Sequence, residues 1–416
     1  HNDIDRAERT FNLGFQPDDW QQELMDYIDE GKSVVVSAPT SSGKTFIAFY
    51  LIEKVLRESD DGVIVFICPT KALVNQLYAE IHSRFSKEKR EIVGMFTAEN
   101  KINVTSCQVL VAVPQTMEIL LLTAEHYEWK KKLRAVVLDE IHCISESDGG
   151  TVWEHILLMI ECQFVALSAT IGNLNEFTSW LNKSKGNVVP VEYKERPRPL
   201  EFYQFDESKQ KILSVHPCST LNPHNITLSS VRNMPMFSPA HCLQLYEVAK
   251  KVERRSGINI LEGLNPKELT SSHLLYTRDD FNRYGKQLRE RLVEIVEDQK
   301  PQEMHAFAAV IRYLSSGQKD IDLSEEYLVQ NVVSLVMLLK DRNMFPCISF
   351  SLDRNQCSAL ARTVADHLEK EKISLWDDPV HEAKCKQEID IVCSKLTDVD
   401  EELIRNLKRG VACHFS

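Results

Sequence analysis

Two kinds of apolar patterning alternate along the first half of this chain. Short, β-branched runs with no polar alternation recur at 33–40 (SVVVSAPT), 62–70 (GVIVFICPT), 107–114 (CQVLVAVP), 134–140 (RAVVLDE) and 164–170 (FVALSAT). A strand with one wet face would alternate, so these runs predict strands buried on both faces. Helical stretches at 45–57 and 71–85 separate the first of them. Strand, helix and strand in succession predict an α/β fold with a parallel sheet and helices on both faces. Such sheets bind ligands at the carboxyl ends of their strands. The polar tips APTSSGKT, DEIH and SAT all fall at such ends.

The pattern breaks at 194–206 (KERPRPLEFYQFD), where prolines and charges interrupt it. Residues 207–240, rich in Pro, Ser and Asn, predict an extended or irregular connection. Three helices follow, at 240–255, 279–297 and 324–340. The second places Phe281, Tyr284, Leu288, Leu292 and Ile295 on one face, and the third does the same with Leu328, Val332, Leu335, Val336 and Leu339. Both stripes are expected to be core contacts. PCISFS (346–351) reads as another buried strand and 353–371 as a helix, the opening of a second α/β lobe. The expected domains are 1–205, a connection and helical insert at 206–330, and a partial second lobe at 331–416.

The strand tips carry the chemistry. In Ala38–Thr45 a glycine lets backbone N–H groups approach a phosphate, and a lysine and a hydroxyl follow at once. Thr40, Ser41, Ser42 and Gly43 would form the cradle. Lys44 would reach the β and γ phosphates, and Thr45 would offer its hydroxyl to Mg²⁺. Ala38 stands where the general phosphate-loop pattern has its first glycine, and a serine-rich loop with a chance GKT is the bland alternative. Asp139 and Glu140 end the strand RAVVLDE, and adjacent carboxylates are costly to bury without a metal or a proton. Asp139 would hold Mg²⁺, and Glu140 would take the proton of an attacking water. A solvated acidic turn would explain a lone Asp-Glu pair, but here a phosphate loop is expected on a neighbouring strand of the same sheet. Ser168-Ala169-Thr170 means little alone and gains weight from its order and place.

Charge and cysteine content qualify this picture. The net charge of −12 argues against a broad electrostatic grip on nucleic acid. Eleven cysteines include no Cys-x-x-Cys pair, so they read as small hydrophobes of a reduced compartment rather than zinc ligands. No run approaches the ~20 apolar residues of a membrane span. On helix 279–297, Arg283, Lys286, Arg289 and Arg291 could form a stripe for RNA, but Glu290, Glu294 and Glu297 interleave with them and favour an internally paired face.

Taken together, these motifs resemble those of superfamily 2 DExD/H-box helicases, and within them the Ski/Mtr-like DExH branch. The resemblance covers residues 15 to about 205. It implies a RecA-like fold, ATP and Mg²⁺ as ligands, and an RNA-dependent ATPase activity. Phe15 and Gln21, in FQPDDWQQ, resemble the adenine-reading segment, with Trp20 either beside the base or in the core. PTKALVNQ with Pro69, Thr70 and Lys71, then Thr97, and VPQT with Pro114 and Gln115, resemble segments that hold a single nucleic-acid strand. His142, Ser168 and Thr170 would couple phosphate state to lobe movement. SDGGTVWE (147–154) and RPRPL (196–200) also resemble this branch.

HPCSTLNP (216–223) and the helical insert look most like the interferon-inducible antiviral cytosolic DExD/H-box helicases. That resemblance implies a cytoplasmic protein, viral or double-stranded RNA, innate-immune signalling partners, and no membrane; it leaves the oligomeric state open. The absent initial Met and the stop at LKRGVACHFS point to a fragment lacking the later arginine motif, expected to bind ATP-Mg²⁺ weakly and turn it over slowly. Two other functions share these motifs: a nucleic-acid sensor or scaffold with ATP as a conformational ligand, and a DNA helicase of the same branch.

Overall fold

The computed structural model describes residues 16–85, 91–145, 149–194, 196, 199–268, 277–318, 324–376, 378–395 and 400–413. The chain divides into two compact units, His1–Arg198 and Pro199–Ser416. The first is built on eight strands: β1 (Ser33–Ser37), β2 (Val63–Ile67), β3 (Val93–Phe96), β4 (Lys101–Ile102), β5 (Val109–Ala112), β6 (Leu133–Leu138), β7 (Gln163–Ser168) and β8 (Val188–Glu192). They form one sheet in the order β4-β3-β5-β2-β6-β7-β1-β8. Every pairing is parallel except β3 with the short edge strand β4.

Successive residues of each central strand enter different cores, as a period of two requires. Val34, Ile64, Phe66, Val109, Val111, Ala135, Val137 and Val165 join one apolar layer. Val35, Val63, Val65, Leu110, Val136, Leu138, Phe164 and Ala166 join the other. Helices α1 (Asp19–Asp29), α2 (Lys44–Glu58) and α3 (Lys71–Arg84) cover the first layer through Leu24, Ile28, Ile47, Leu51, Val74 and Ile81. Helices α4 (Pro114–Leu122), α5 (Gly150–Met159) and α6 (Leu174–Lys185) cover the second through Met117, Leu120, Trp153, Ile156 and Leu181. Burying such a side chain stabilises by roughly 1.5–3 kcal/mol, which is why both strand faces read as apolar.

The phosphate-loop strand and the acidic strand are not neighbours, contrary to expectation. β7 lies between β1 and β6. A parallel pair needs a crossover connection, so sequence order and sheet order part company. The consequence is that the Ser-Ala-Thr tip stands between the lysine loop and the paired acids.

The second unit opens with an antiparallel pair, β9 (Phe202–Asp206) and β10 (Lys211–Val215), and continues with a 3₁₀ turn at Pro217–Thr220 and a short helix at Leu228–Arg232. The stretch 207–240 is therefore structured, and Cys218, Leu221, Val231, Met234 and Phe237 belong to a core. That core is completed by α7 (Pro239–Ser256), α8 (Arg278–Asp298) and α9 (Pro301–Ser315). Tyr284, Leu288, Leu292 and Ile295 of α8 are buried, as its stripe predicts. Arg291 is paired with Glu303 at 2.8 Å and Arg289 donates to the Arg232 carbonyl, so these two of the four basic residues are engaged within their own unit. Helix α9 escaped the sequence reading, although Pro301 is a start signal and Phe307, Val310, Ile311 and Leu314 form its buried face.

Two expectations beyond residue 324 are corrected. Helix α10 (Glu325–Asp341) contributes no buried residue, so its stripe is only half-covered. PCISFS forms no strand, and Ile348 and Phe350 are 79% and 90% exposed. Their alternation with Cys347, Ser349 and Ser351 is that of a strand, but a strand needs a partner for its N–H and C=O groups. None of the described residues supplies one.

His216 makes this unit sensitive to acid. It is fully buried; its Nε2 donates to the His241 carbonyl at 3.0 Å and its Nδ1 accepts from the Cys218 N–H at 3.0 Å. Both nitrogens are satisfied only in the neutral ring, and burial holds the imidazole down to about 4. The unfolded chain binds this proton more tightly than the fold does. The stabilising contribution is thus complete above the ordinary histidine value and lost as pH falls from about 6.5 towards 4. Urea denaturation should show a loss on the order of 2 kcal/mol between pH 7 and 5, absent in His216→Asn. An equal pH dependence in that variant would assign the loss to other groups.

Candidate active site

Parallel pairing delivers the tips of seven strands to one edge of the sheet. From one side to the other the edge carries Thr97 after β3, Pro114 and Gln115 after β5, and Pro69, Thr70 and Lys71 after β2. Then come Asp139 and Glu140 after β6, Ser168–Thr170 at β7, and the 38–43 loop after β1. Strands stand roughly 4.8 Å apart, so the three motifs on β6, β7 and β1 share one short stretch.

The 38–43 loop takes left-handed backbone at two positions. Gly43 takes a left-handed φ of 89° immediately before α2. A Cβ there would lie 2.6 Å from Gln21 Nε2, so only glycine fits without displacement. Ser41 also has positive φ, at 65°. Lys44 Nζ donates to the Ala38 and Pro39 carbonyls at 2.6 and 3.2 Å, folding its ammonium back over the loop. Thr45 is exposed beside it at the start of α2, where the helix dipole favours an anion. Burial pulls Lys44 below the ordinary lysine value; the Glu140 and Asp139 carboxylates oppose this, and Arg196 adds to it.

Across β7, burial, then the Glu140 carboxylate, pushes Asp139 up to about 6. Glu140 has a left-handed φ of 52°, a conformation costly for a non-glycine residue and often kept at functional turns. Its N–H donates to Asp139 Oδ1 at 3.1 Å. His142 Nδ1 lies 3.2 Å from both Glu140 Oε2 and Ser168 Oγ. Ser168 is fully buried; its hydroxyl donates to the Thr170 carbonyl and accepts from the Thr170 N–H. His142 therefore bridges the acid tip and the Ser-Ala-Thr tip directly.

A magnesium-bound triphosphate suits this donor set. Two buried side-chain oxygens here make no hydrogen bond among the described residues: Ser42 Oγ, and Glu140 Oε2, which has only the His142 ring 3.2 Å away. Such atoms are rare in folded proteins unless a ligand or water satisfies them. A lysine, a hydroxyl and two carboxylates complete what phosphates and a hard cation require.

Other predicted residues take different places. Gln21 is buried, and its amide spans the Asp18 N–H at 3.0 Å and the Ser42 carbonyl at 3.2 Å, bracing the loop against α1. Trp20 is a core residue, stacked on Tyr193 with ring centres 4.9 Å apart. Phe15, Ser147 and Asp148 lie outside the described residues. Thr70, Lys71 and Gln115 are exposed, and Pro69 is half-buried. Lys71 is ion-paired with Glu99. Thr97 and Pro114 are buried, and the Thr97 hydroxyl accepts from the Asn100 N–H. Arg196 was not anticipated at the site; its Nη1 donates to Thr40 Oγ1 at 3.3 Å.

Gly43→Ala should displace Gln21 and destabilise the first unit by on the order of 1–3 kcal/mol in urea denaturation, through strained φ and the close approach. Stability equal to the parent would mean the loop relaxes freely.

Comparison with known proteins agrees with this geometry. The DEAD/DEAH box helicase family matches residues 18–177. An uncharacterized helicase of Dictyostelium discoideum is 33% identical over 84% of this chain and 20% of its own length. The probable ATP-dependent RNA helicase DDX60-like of Homo sapiens is 31% identical over 86% of this chain and 23% of its own length. The exosome RNA helicase MTR4 of Homo sapiens is 37% identical over 45% of this chain and 17% of its own length. The chain thus spans about a fifth of the length of these relatives. A lysine loop, paired acids and a Ser-Ala-Thr tip on one sheet edge, within the matched segment, identify residues 18–177 as a DEAD/DEAH box helicase domain.

Proposed function

We propose that this chain forms the nucleotide-hydrolysing part of an RNA-stimulated ATPase motor. The observation that carries the reading is the convergence of Lys44, Asp139 and Glu140 on one edge, with buried Ser42 Oγ left without a hydrogen-bond partner there. Lys44 and the N–H groups of residues 41–45 hold the phosphates. Thr45 and Asp139 hold Mg²⁺, whose charge would offset that developing on the phosphate oxygens. Glu140 orients the attacking water and takes its proton; catalysis otherwise comes from positioning and charge stabilisation. His142 touches both Glu140 and Ser168, so a change at the carboxylate is transmitted to the Ser-Ala-Thr tip.

The strand track would be the remaining part of the same edge, Pro69–Lys71, Thr97, Pro114 and Gln115. Backbone phosphate contacts through hydroxyls, amides and a single lysine do not need a basic protein. RNA is favoured over DNA because two of the relatives are named RNA helicases. An antiviral setting in the cytoplasm rests on the resemblance of residues 216–223 and of the helical insert that follows.

Glu140→Gln should lower ATP turnover by at least ~100-fold while nucleotide binding is retained, read by phosphate release and by fluorescent-nucleotide titration. Unchanged turnover would remove Glu140 from the mechanism. RNA should stimulate turnover more than DNA of equal length, since only RNA offers the 2′-hydroxyl; equal stimulation would favour a motor indifferent to the sugar.

A further inference from the structure

The functional reading leaves the RPRPL run at 196–200 without a role. The reason it reaches the site lies in the sheet. β8 pairs in parallel with β1, with Glu192 opposite Ser37, and the Tyr193 N–H donates to the Ser37 carbonyl at 2.8 Å. The chain leaving β8 therefore travels beside the chain leaving β1, and four residues after Glu192 it stands at the phosphate loop. There Arg196 Nη1 donates to Thr40 Oγ1 at 3.3 Å. No carboxylate among the described residues pairs with Arg196.

Two cations are thus directed at one small loop. Arg196 and Lys44 repel each other, and burial already disfavours the Lys44 charge. Such an arrangement is unfavourable alone and becomes favourable when an anion lies between the two groups. A planar guanidinium suits phosphate oxygens in particular, because its fork can donate twice. Thr40 opens the loop, on the side away from the start of α2, while a phosphate-loop lysine spans the β and γ phosphates. An arginine held at Thr40 and the lysine at position 44 thus flank one loop, and a triphosphate brings more negative charge between them than a diphosphate.

We propose that Arg196 is a nucleotide ligand that holds the terminal phosphate of a nucleoside triphosphate together with Lys44. This rests on the reading of residues 38–45 as a phosphate loop. Arg196 distinguishes triphosphate from diphosphate, and it does so in the segment by which the polypeptide leaves the first unit.

The test titrates the 416-residue chain with fluorescent (methylanthraniloyl) AMPPNP and ADP in the presence of Mg²⁺, with thermal melting to monitor folding. Arg196→Gln should weaken AMPPNP roughly tenfold, about 1.4 kcal/mol, and ADP less than about twofold. Arg196→Lys should fall between parent and Gln for AMPPNP, and Lys44→Ala should weaken both nucleotides. If Arg196→Gln weakens neither nucleotide, or both equally, Arg196 is a surface latch on Thr40 and the proposal fails while the phosphate loop stands. Should Arg196→Gln melt early, Arg196→Lys decides by the same comparison. If the parent chain binds neither nucleotide, or Lys44→Ala has no effect, the phosphate-loop reading fails and takes the proposal with it.

Discussion

The direction of the strands governs everything else in the first unit. In a parallel sheet each strand ends on the same side, so every tip is delivered to a common edge whatever its distance in sequence. Residues 38–45, 139–142 and 168–170 are separated by roughly thirty to a hundred positions, yet they meet because β1, β6 and β7 run the same way. Apolar burial on both faces fixes that arrangement. It leaves the edge as the one place where polar backbone and charged side chains can gather without competing with the core.

Along that edge the chemistry is segregated. β6, β7 and β1 carry the acids, the bridging histidine and the lysine loop, whereas β3, β5 and β2 end in hydroxyls, an amide and one lysine. β2 and β6 are adjacent, so the two halves share a border where the Asp139 N–H donates to the Ile67 carbonyl at 2.9 Å. His142 touches both the acid strand's Glu140 and Ser168 of β7, the strand between the acids and the loop. A net charge of −12 does not preclude a local site of positive potential, because Lys44 and Arg196 both face the 38–43 loop.

Most of this was legible in the sequence because burial on both faces leaves an unambiguous signature. The five non-alternating runs all proved to contain strands, and their polar tips marked the edge. What the sequence hid was spatial order. Nothing in RAVVLDE or SVVVSAPT says that FVALSAT will lie between them, since crossover connections permit several strand orders. Arg196 was hidden for the same reason: its position follows from the pairing of β8 with β1. Gln21 was noticed for its hydrogen-bonding amide, but its brace to Ser42 depends on how α1 packs against α2. In the second unit, Cys218, Leu221 and Val231 are buried through contacts with distant helices, so no local period betrayed them. PCISFS has the pattern of a strand and lacks a partner, a reminder that patterning states a preference which only pairing can realise.

The stack of Trp20 on Tyr193 has an architectural consequence. Trp20 lies near the start of α1 and Tyr193 just past the end of β8, so the polypeptide enters and leaves the sheet at neighbouring points. A unit whose two ends are pinned side by side behaves as a cassette: additional polypeptide can be joined before or after it without straining the strands between. Relatives four to five times as long can therefore share this sheet while differing widely in what surrounds it.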